Sequence, residues 1–295
     1  MKENQSMSIL RTGPGTSVQD LGREGFGQYG IPVSGAMDRI SMRWVNHLLQ
    51  NPEEEAVLEI SQPGLKIHFE SPTTICIAGA KANLKLNDSP IKSEGLLSIK
   101  EGDELSFGSF ILGARVYLGV KKGFKVPTLL NSKSTYPGIT ELGMLKKGDL
   151  LEYASIQEHP NPTWSRVKFD RNWMNSNTIE AYPGPEWKEL SDTTKTEIQH
   201  TTFTISHLQN RMAFQLEELI PNSLSEMATA AVYPGTVQLT SGGKLIILMK
   251  DAQVTGGYPR ILQLSEKSIA QLSQKSPYQQ FSFKIKKALI SQSLY

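Results

Sequence analysis

The chain has 295 residues, room for one large domain or two ordinary ones, and carries 31 Lys and Arg against 29 Asp and Glu. This near-neutral balance, with no basic run longer than Lys146-Lys147 or Lys286-Lys287, gives no electrostatic footprint for nucleic acid. The one cysteine, Cys76, excludes an intramolecular disulfide and fits a reducing compartment.

The polar N-terminus, Met1-Lys2-Glu3-Asn4-Gln5-Ser6, lacks the apolar core of a signal peptide. No stretch approaches the roughly 18 apolar residues of a membrane span. A soluble, cytoplasmic protein with no membrane partner is expected, its patterning starting at Met7 with Ser8-Ile9-Leu10. Ser17–Asp38 follows, a polar segment punctuated by glycine and lacking hydrophobic periodicity, which predicts a long ordered loop of the functional kind. Asp20 and Arg23 in it can pair with each other, present a carboxylate and a guanidinium to a small polar substrate, or brace the loop.

Asp38 is placed to cap a helix running to Leu49, with Met37, Ile40, Trp44, Val45, Leu48 and Leu49 at helical spacing and Asn51-Pro52 as its stop. Strand patterns then dominate: Leu65–Phe69, Thr73–Ala78, Ala82–Leu86, Leu96–Ile99, Glu104–Phe107, Arg115–Val120, Thr201–Ile205, Thr236–Leu239, Lys244–Met249 and Phe281–Ile285. Turns such as Asn87-Asp88, Lys147-Gly148-Asp149 and Ser241-Gly242-Gly243 hold residues that tolerate positive φ. Cys76 lies in an apolar strand pattern and is expected to be buried and inert. Asn131-Ser132-Lys133-Ser134-Thr135 is expected, on composition, to be a solvated loop. Ile156–Trp173 reads as a connection between halves, and Ser268–Gln274 as a second helix with apolar residues at 269 and 272.

Lys250–Arg260 directly follows an apolar strand, so its Asp251, Gln253, Thr255 and Arg260 emerge at a strand end, where scaffolded sites sit. Gly256-Gly257 allows close approach of backbone N–H groups to a ligand. Walker and dinucleotide glycine motifs, metal-ligand spacings among the five histidines, and a G-x-S-x-G elbow around Ser34 are all missing.

An internal repeat is also legible. Pro14-Gly15 matches Pro183-Gly184, Val33–Arg39 matches Ile205–Arg211, and Pro63-Gly64 matches Pro234-Gly235, at offsets of 169, 172 and 171. Regular short strands of this kind suggest sandwiches or barrels. Two β domains are expected, 7–172 and 173–295, the first containing Ser17–Asp38 and the second Lys250–Arg260, with the two segments framing one site.

Taken together, S-V-Q-D-L-G-R-E-G (17–25), G-I-P-V-S-G-A-M-D-R (30–39), L-E-I (58–60), K-V-P (125–127), S-K-S-T (132–135), N-R-M (210–212) and D-A-Q-V-T-G-G-Y-P-R (251–260) resemble one family. It contains the C-type component of bacterial 5-oxoprolinase, the second allophanate-hydrolase-type subunit and the carboxyltransferase region of urea carboxylase. The resemblance runs from about Ser8 to Phe283. It implies a mostly β protein of two related cyclophilin-like β-barrel domains with a few short helices. It also implies a B-type partner subunit and an A-type subunit, which together with this chain open the lactam 5-oxo-L-proline to L-glutamate using ATP, with magnesium as its companion ion, at a nucleotide site the sequence does not locate. The chain is then a hydrolase subunit inactive alone.

Carried onto this sequence, the resemblance makes Asp20, Arg23, Asp251 and Arg260 catalytic. Ser34, Asp38, Asn210, Arg211, Gln253, Thr255, Gly256, Gly257 and Tyr258 then bind substrate, with no protein-bound metal. Two alternatives stay open. One is a biotin-dependent carboxyltransferase acting on urea or a related amide, its biotin carried by another protein because no A-M-K-M-like site is present. The other is a regulatory binding protein that antagonises an inhibitor of a sensor kinase. Asn131, Lys133 and Lys121-Lys122 depart from the family pattern, which bears on substrate specificity more than on fold.

Overall fold

The computed structural model describes residues 5–92, 95–155 and 169–287. The chain divides into two compact units: Met1–Glu24 with Ser34–Met174, and Gly25–Val33 with Asn175–Tyr295. Part of the glycine-rich segment, Gly25–Val33, thus belongs with the second unit. Of the stretch read as a connection, residues 156–168 lie outside the described residues.

The first unit is built on β1 (Ser6–Arg11), β2 (Thr16–Gln19), β3 (Val57–Ile60), β4 (Lys66–Phe69), β5 (Thr73–Leu86), β6 (Ser89–Ile91), β7 (Leu96–Ile99), β8 (Glu104–Val120) and β9 (Leu150–Glu152). They form one curled nine-stranded sheet with the path β2-β3-β8-β4-β1-β9, and β5 pairs with β6, β7 and β8. β5 and β8 are each a single long strand where the sequence pattern suggested two. Their pairing shifts register between Gly79 and Leu84, and those irregularities break the in/out alternation that marks a strand. Asn87 and Asp88, both at positive φ, close the tight turn between β5 and β6. Cys76 is buried in β5, and burial pushes its thiol up to about 12.

Helix α1 (Arg39–Leu49) begins where expected, the Asp38 carboxylate accepting from the Ser41 backbone N–H, and ends at Gln50 in the left-handed region. Its buried face is Met42, Val45 and Leu49 with Ser41 and Asn46, so Ile40, Trp44 and Leu48 sit at the margin. Trp44 is half-covered by Phe169, with ring centroids 5.6 Å apart. The helix packs its apolar stripe on Val57, Cys76, Ala78 and Tyr117.

The second unit contains β10 (Thr178–Pro183), β11 (Phe203–Gln209), β12 (Ala213–Leu219), β13 (Ala230–Ala231), β14 (Thr236–Leu239), β15 (Lys244–Leu248), β16 (Thr255–Gly256), β17 (Arg260–Leu264) and β18 (Gln280–Ile285). Seven of these close a barrel in the order β10-β17-β14-β15-β12-β11-β18, and β13 with β16 makes a separate two-stranded ribbon. Closure leaves no free sheet edge in the barrel. Alternating apolar residues such as Phe214, Leu216, Leu245 and Ile247 are buried, and Phe203, Phe281 and Phe283 pack with ring centroids 5.1–6.2 Å apart.

Helix α3 (Glu266–Ser273), capped by Ser265, buries Ile269 and Leu272 as its spacing predicts. Helix α2 (Asp192–His200), capped by Ser191, has no apolar periodicity to announce it, because Ile198 is its one apolar residue. The expected repeat is matched in local structure at Pro63-Gly64 and Pro234-Gly235, each with a positive-φ glycine just before a strand, β4 and β14. Gly15 (φ +78) and Gly235 (φ +89) each turn the chain into a strand opened by a threonine, Thr16 and Thr236, whereas Gly184 (φ −80) opens a 3-10 turn. Val33–Asp38 is loop and Ile205–Gln209 is strand, so their similarity of sequence is not one of structure.

Candidate functional site

In the first unit the polar cluster is centred on Asp20, immediately after β2 and buried. Its Oδ1 accepts from the Gly22 N–H (2.7 Å), the Ser132 hydroxyl (2.7 Å) and the Ser134 hydroxyl, and its Oδ2 from the Lys133 N–H. The Asp20 N–H donates to Ser134 Oγ at 2.9 Å, and the Arg23 guanidinium, also buried, donates to the Ser134 carbonyl. Leu130 and Asn131, both at positive φ, turn the chain so that Ser132 and Ser134 face inward. Lys133 pairs with Glu55 at 2.5 Å. The expectation of a solvated loop at Asn131–Thr135 is therefore corrected: Ser132, Ser134 and Thr135 are buried. The carboxylate that buries them lies 112 residues away from Ser132, beyond any local pattern.

Ser34 is fully buried at φ +57, and its hydroxyl has no hydrogen-bond partner among the described residues. Asp38 spends its carboxylate on the helix cap, accepting from the Ser41 N–H and hydroxyl. Its own N–H donates to the Tyr117 hydroxyl (2.8 Å), which donates to Glu59 Oε2 (2.8 Å), an oxygen that also accepts from the Met37 N–H. Arg115 lies 3.9 Å from the other Glu59 oxygen. Burial first, then the Glu59 and Asp38 charges, holds the Tyr117 phenol well above its usual range. Glu59 and Tyr117 are not among the site residues expected from the sequence. A carboxylate inside the apolar run Val57-Leu58-Glu59-Ile60 is the signal that could have found them.

In the second unit Lys250–Arg260 forms a strap fastened at both ends. At its start Asp251 takes a two-pronged ion pair from Arg211, Nε to Oδ2 at 2.7 Å and Nη2 to Oδ1 at 2.9 Å, and its N–H donates to the Arg211 carbonyl. Asn210 shapes the same β11–β12 turn, its Oδ1 accepting from the Met212 and Ala213 N–H groups. At the far end Arg260 meets Glu186 through Nε (3.0 Å), Nη2 (2.8 Å) and its backbone N–H (2.8 Å). The ion pair with Arg260 holds the Glu186 carboxyl below the usual carboxylate range.

Between these anchors Gln253 and Thr255 are exposed. Gly256 lies against Gln238, whose amide would sit 2.6 Å from any Cβ there, and that amide donates to the Tyr258 carbonyl at 3.2 Å. The Gly257 carbonyl accepts from the Met227 N–H. Asp251 and Arg211 are thus brought together, and so are Asp20 and Arg23 around Ser134. Arg260 is instead joined to Glu186, a residue inside the Pro-Gly-Pro-Glu run that carries no local sign of a site.

Chemically, both oxygens of Asp20 and of Asp251 are committed to donors, so each acts as a fixed charge before it can act as a proton acceptor. Within the strap, the exposed hydrogen-bonding residues are Gln253 and Thr255. Among the described residues no three His, Cys, Asp or Glu side chains are grouped to hold a metal ion. No described helix is long and apolar enough to cross a membrane.

The family model for the carboxyltransferase domain, subdomain A and B, matches residues 29–285. The C-type component of the Escherichia coli 5-oxoprolinase is 32% identical over 274 residues, covering 91% of this chain and 87% of that protein. Its Haemophilus influenzae counterpart is 30% identical over 281 residues, with the same coverages of 91% and 87%. The crystal structure of the K. lactis urea amidolyase superposes with a TM-score of 0.84 at 25% identity, covering 96% of this chain and 19% of that much longer one.

Proposed function

The chain belongs to the carboxyltransferase-domain family of subdomains A and B, and from that premise we propose that it is the C-type component of a cytoplasmic 5-oxoprolinase. With A-type and B-type subunits it opens 5-oxo-L-proline to L-glutamate at the expense of ATP, and it does not turn over alone. The observation that carries this reading is the likeness to the E. coli 5-oxoprolinase component along nearly the full length of both chains.

Opening a lactam places negative charge on the carbonyl oxygen, and fixed donors around that oxygen lower the barrier. In this reading the Gln253 amide and Thr255 hydroxyl, carried on the exposed part of the strap, contact the substrate, and Gly256, Gly257 and Tyr258 shape the backbone beside them. Asp251 with Arg211, and Arg260, set the field and hold the strap; Asp20, Arg23, Ser34 and Asp38 perform the corresponding service in the first unit.

The test is reconstitution of the chain with its A-type and B-type partners. ATP hydrolysis stimulated by 5-oxo-L-proline, with L-glutamate as product, is expected; absence of both sinks the reading. Within an active complex Asp251→Asn separates two roles. A proton acceptor lost there lowers kcat by orders of magnitude, whereas a holding charge lost there raises KM, the outcome expected here. The likeness to urea amidolyase favours a second reading, carboxyl transfer from a biotin on another protein to urea or a related amide. Carboxybiotin consumed in a urea-dependent way, with no response to 5-oxo-L-proline, would select it.

A further inference from the structure

The strap is held by a chain of contacts that starts outside it. Glu186 lies in the 3-10 turn Pro185–Glu189 and is 9% exposed. It accepts three hydrogen bonds from Arg260, which leaves the remaining fork nitrogen, Nη1, to donate to the Ala231 carbonyl at 2.9 Å. Ala231 is half of β13, and β13 pairs antiparallel with β16 in the strap, Ala230 opposite Gly256 and Ala231 opposite Thr255. Two further bonds fasten the same pair of segments, Val232 N–H to the Val254 carbonyl (3.0 Å) and Met227 N–H to the Gly257 carbonyl (2.9 Å).

The ribbon is only two residues long on each strand. A ribbon this short does not stand alone in water, so its order depends on what clamps it. One end of the clamp is the guanidinium of Arg260, and Glu186 fixes that guanidinium in a single orientation through a planar fork that a point-charge cation could not reproduce.

We propose that Glu186 is a positioning residue for the substrate-binding strap: through Arg260 it orients β13, and β13 sets the backbone that presents Gln253 and Thr255. The proposal rests on the strap being the substrate-contacting element of the reading above. Glu186 itself touches no substrate. Its loss loosens the ribbon and weakens substrate binding, and it leaves the bond-breaking step alone.

Glu186→Gln keeps the size and one acceptor while removing the charge that makes the fork. Two readouts are taken on the purified chain and on the complex reconstituted with A-type and B-type subunits. In the chain, amide hydrogen exchange at Met227 and Val232 is expected to speed up by about tenfold or more, with the Thr240 amide in the β14–β15 hairpin unchanged as control. In the complex, KM for 5-oxo-L-proline is expected to rise by roughly tenfold with kcat within about twofold. Arg260→Lys, which keeps the charge but gives up the fork, is expected to reproduce the faster exchange at Met227 and Val232, and it carries the test of the relay if Glu186→Gln does not fold.

Unchanged exchange at Met227 and Val232 overturns the relay. Faster exchange with an unchanged KM in an active complex overturns the link from ribbon to substrate. A wild-type complex with no 5-oxo-L-proline turnover counts against the proposed function, and the exchange measurement then still decides the relay.

Discussion

The two polar segments use the same residue types in opposite ways. Around Asp20 the donors to the carboxylate are two buried hydroxyls and two part-buried backbone N–H groups, and the arrangement welds one loop to another. Along Lys250–Arg260 the buried Asp251 and Glu186 carboxylates face half-buried guanidinium groups, and the middle of the segment stays open. Neutral donors around a buried charge make scaffold. Ion pairs at the two ends of an exposed stretch hold a presenting surface in place while leaving it wet.

The largest effect expected from this contrast is at the weld. Asp20→Ala leaves the Ser132 and Ser134 hydroxyls and the Gly22 and Lys133 N–H groups without their acceptor in a buried setting, at a cost of about 3–5 kcal/mol. Urea unfolding monitored at equilibrium reads this directly. Arg211→Ala strands the buried Asp251 carboxylate and is expected to cost less, about 2 kcal/mol, because the half-buried Arg211 leaves space through which water can partly replace the lost partner. Salt sharpens the comparison. In 1 M NaCl the Arg211→Ala deficit shrinks and the Asp20→Ala deficit does not. Equal salt sensitivity at the two sites would break the distinction.

What the sequence makes legible follows the same line. Local signals work: the Asp38 cap, the Asn87-Asp88 turn, α3 and the strands Leu96–Ile99 and Thr236–Leu239 each depend on residues within a few positions of one another. Asp20 and Lys250–Arg260 stand out because polar residues cluster there beside strands. Their partners do not, since Ser134 and Glu186 are 114 and 74 residues away from the groups they bind. Composition alone makes Ser132-Lys133-Ser134 a surface loop; only the distant carboxylate turns it inward. Of the Pro-Gly pairs, Pro63-Gly64 and Pro234-Gly235 share a positive-φ glycine just before a strand, while Pro14-Gly15 and Pro183-Gly184 do not share it. Gly15 and Gly235 have a further detail in common, a left-handed glycine that delivers a strand-opening threonine.

Those two turns provide a smaller test on matched backbones. An alanine at either glycine must adopt positive φ, a strain of about 1–2 kcal/mol. At Gly15 the added methyl meets the Ser61 hydroxyl, the movable end of a side chain. At Gly235 it meets the Gln263 amide, the Ile269 methyl and the Leu264 carbonyl together, all within 3.0 Å. Gly235→Ala is therefore expected to be the more destabilising by roughly 1 kcal/mol, because a filled core yields less readily than one rotamer. Equal costs would show that strain alone sets the penalty.

The mildest expected effect is a titration. The Glu186 carboxyl is held below its usual range by Arg260, so folding favours its charged form. A depressed carboxyl contributes its stabilisation at pH values above the unfolded carboxyl's range and loses it as pH falls through the lower folded value. Exchange protection at Met227 and Val232, corrected for the intrinsic pH dependence of amide exchange, should hold down to the ordinary carboxylate range and fall only on further acidification. In Glu186→Gln that acid-side loss should disappear, since no proton remains to be taken up at the fork. An unchanged acid profile in the variant would assign the loss to another carboxyl.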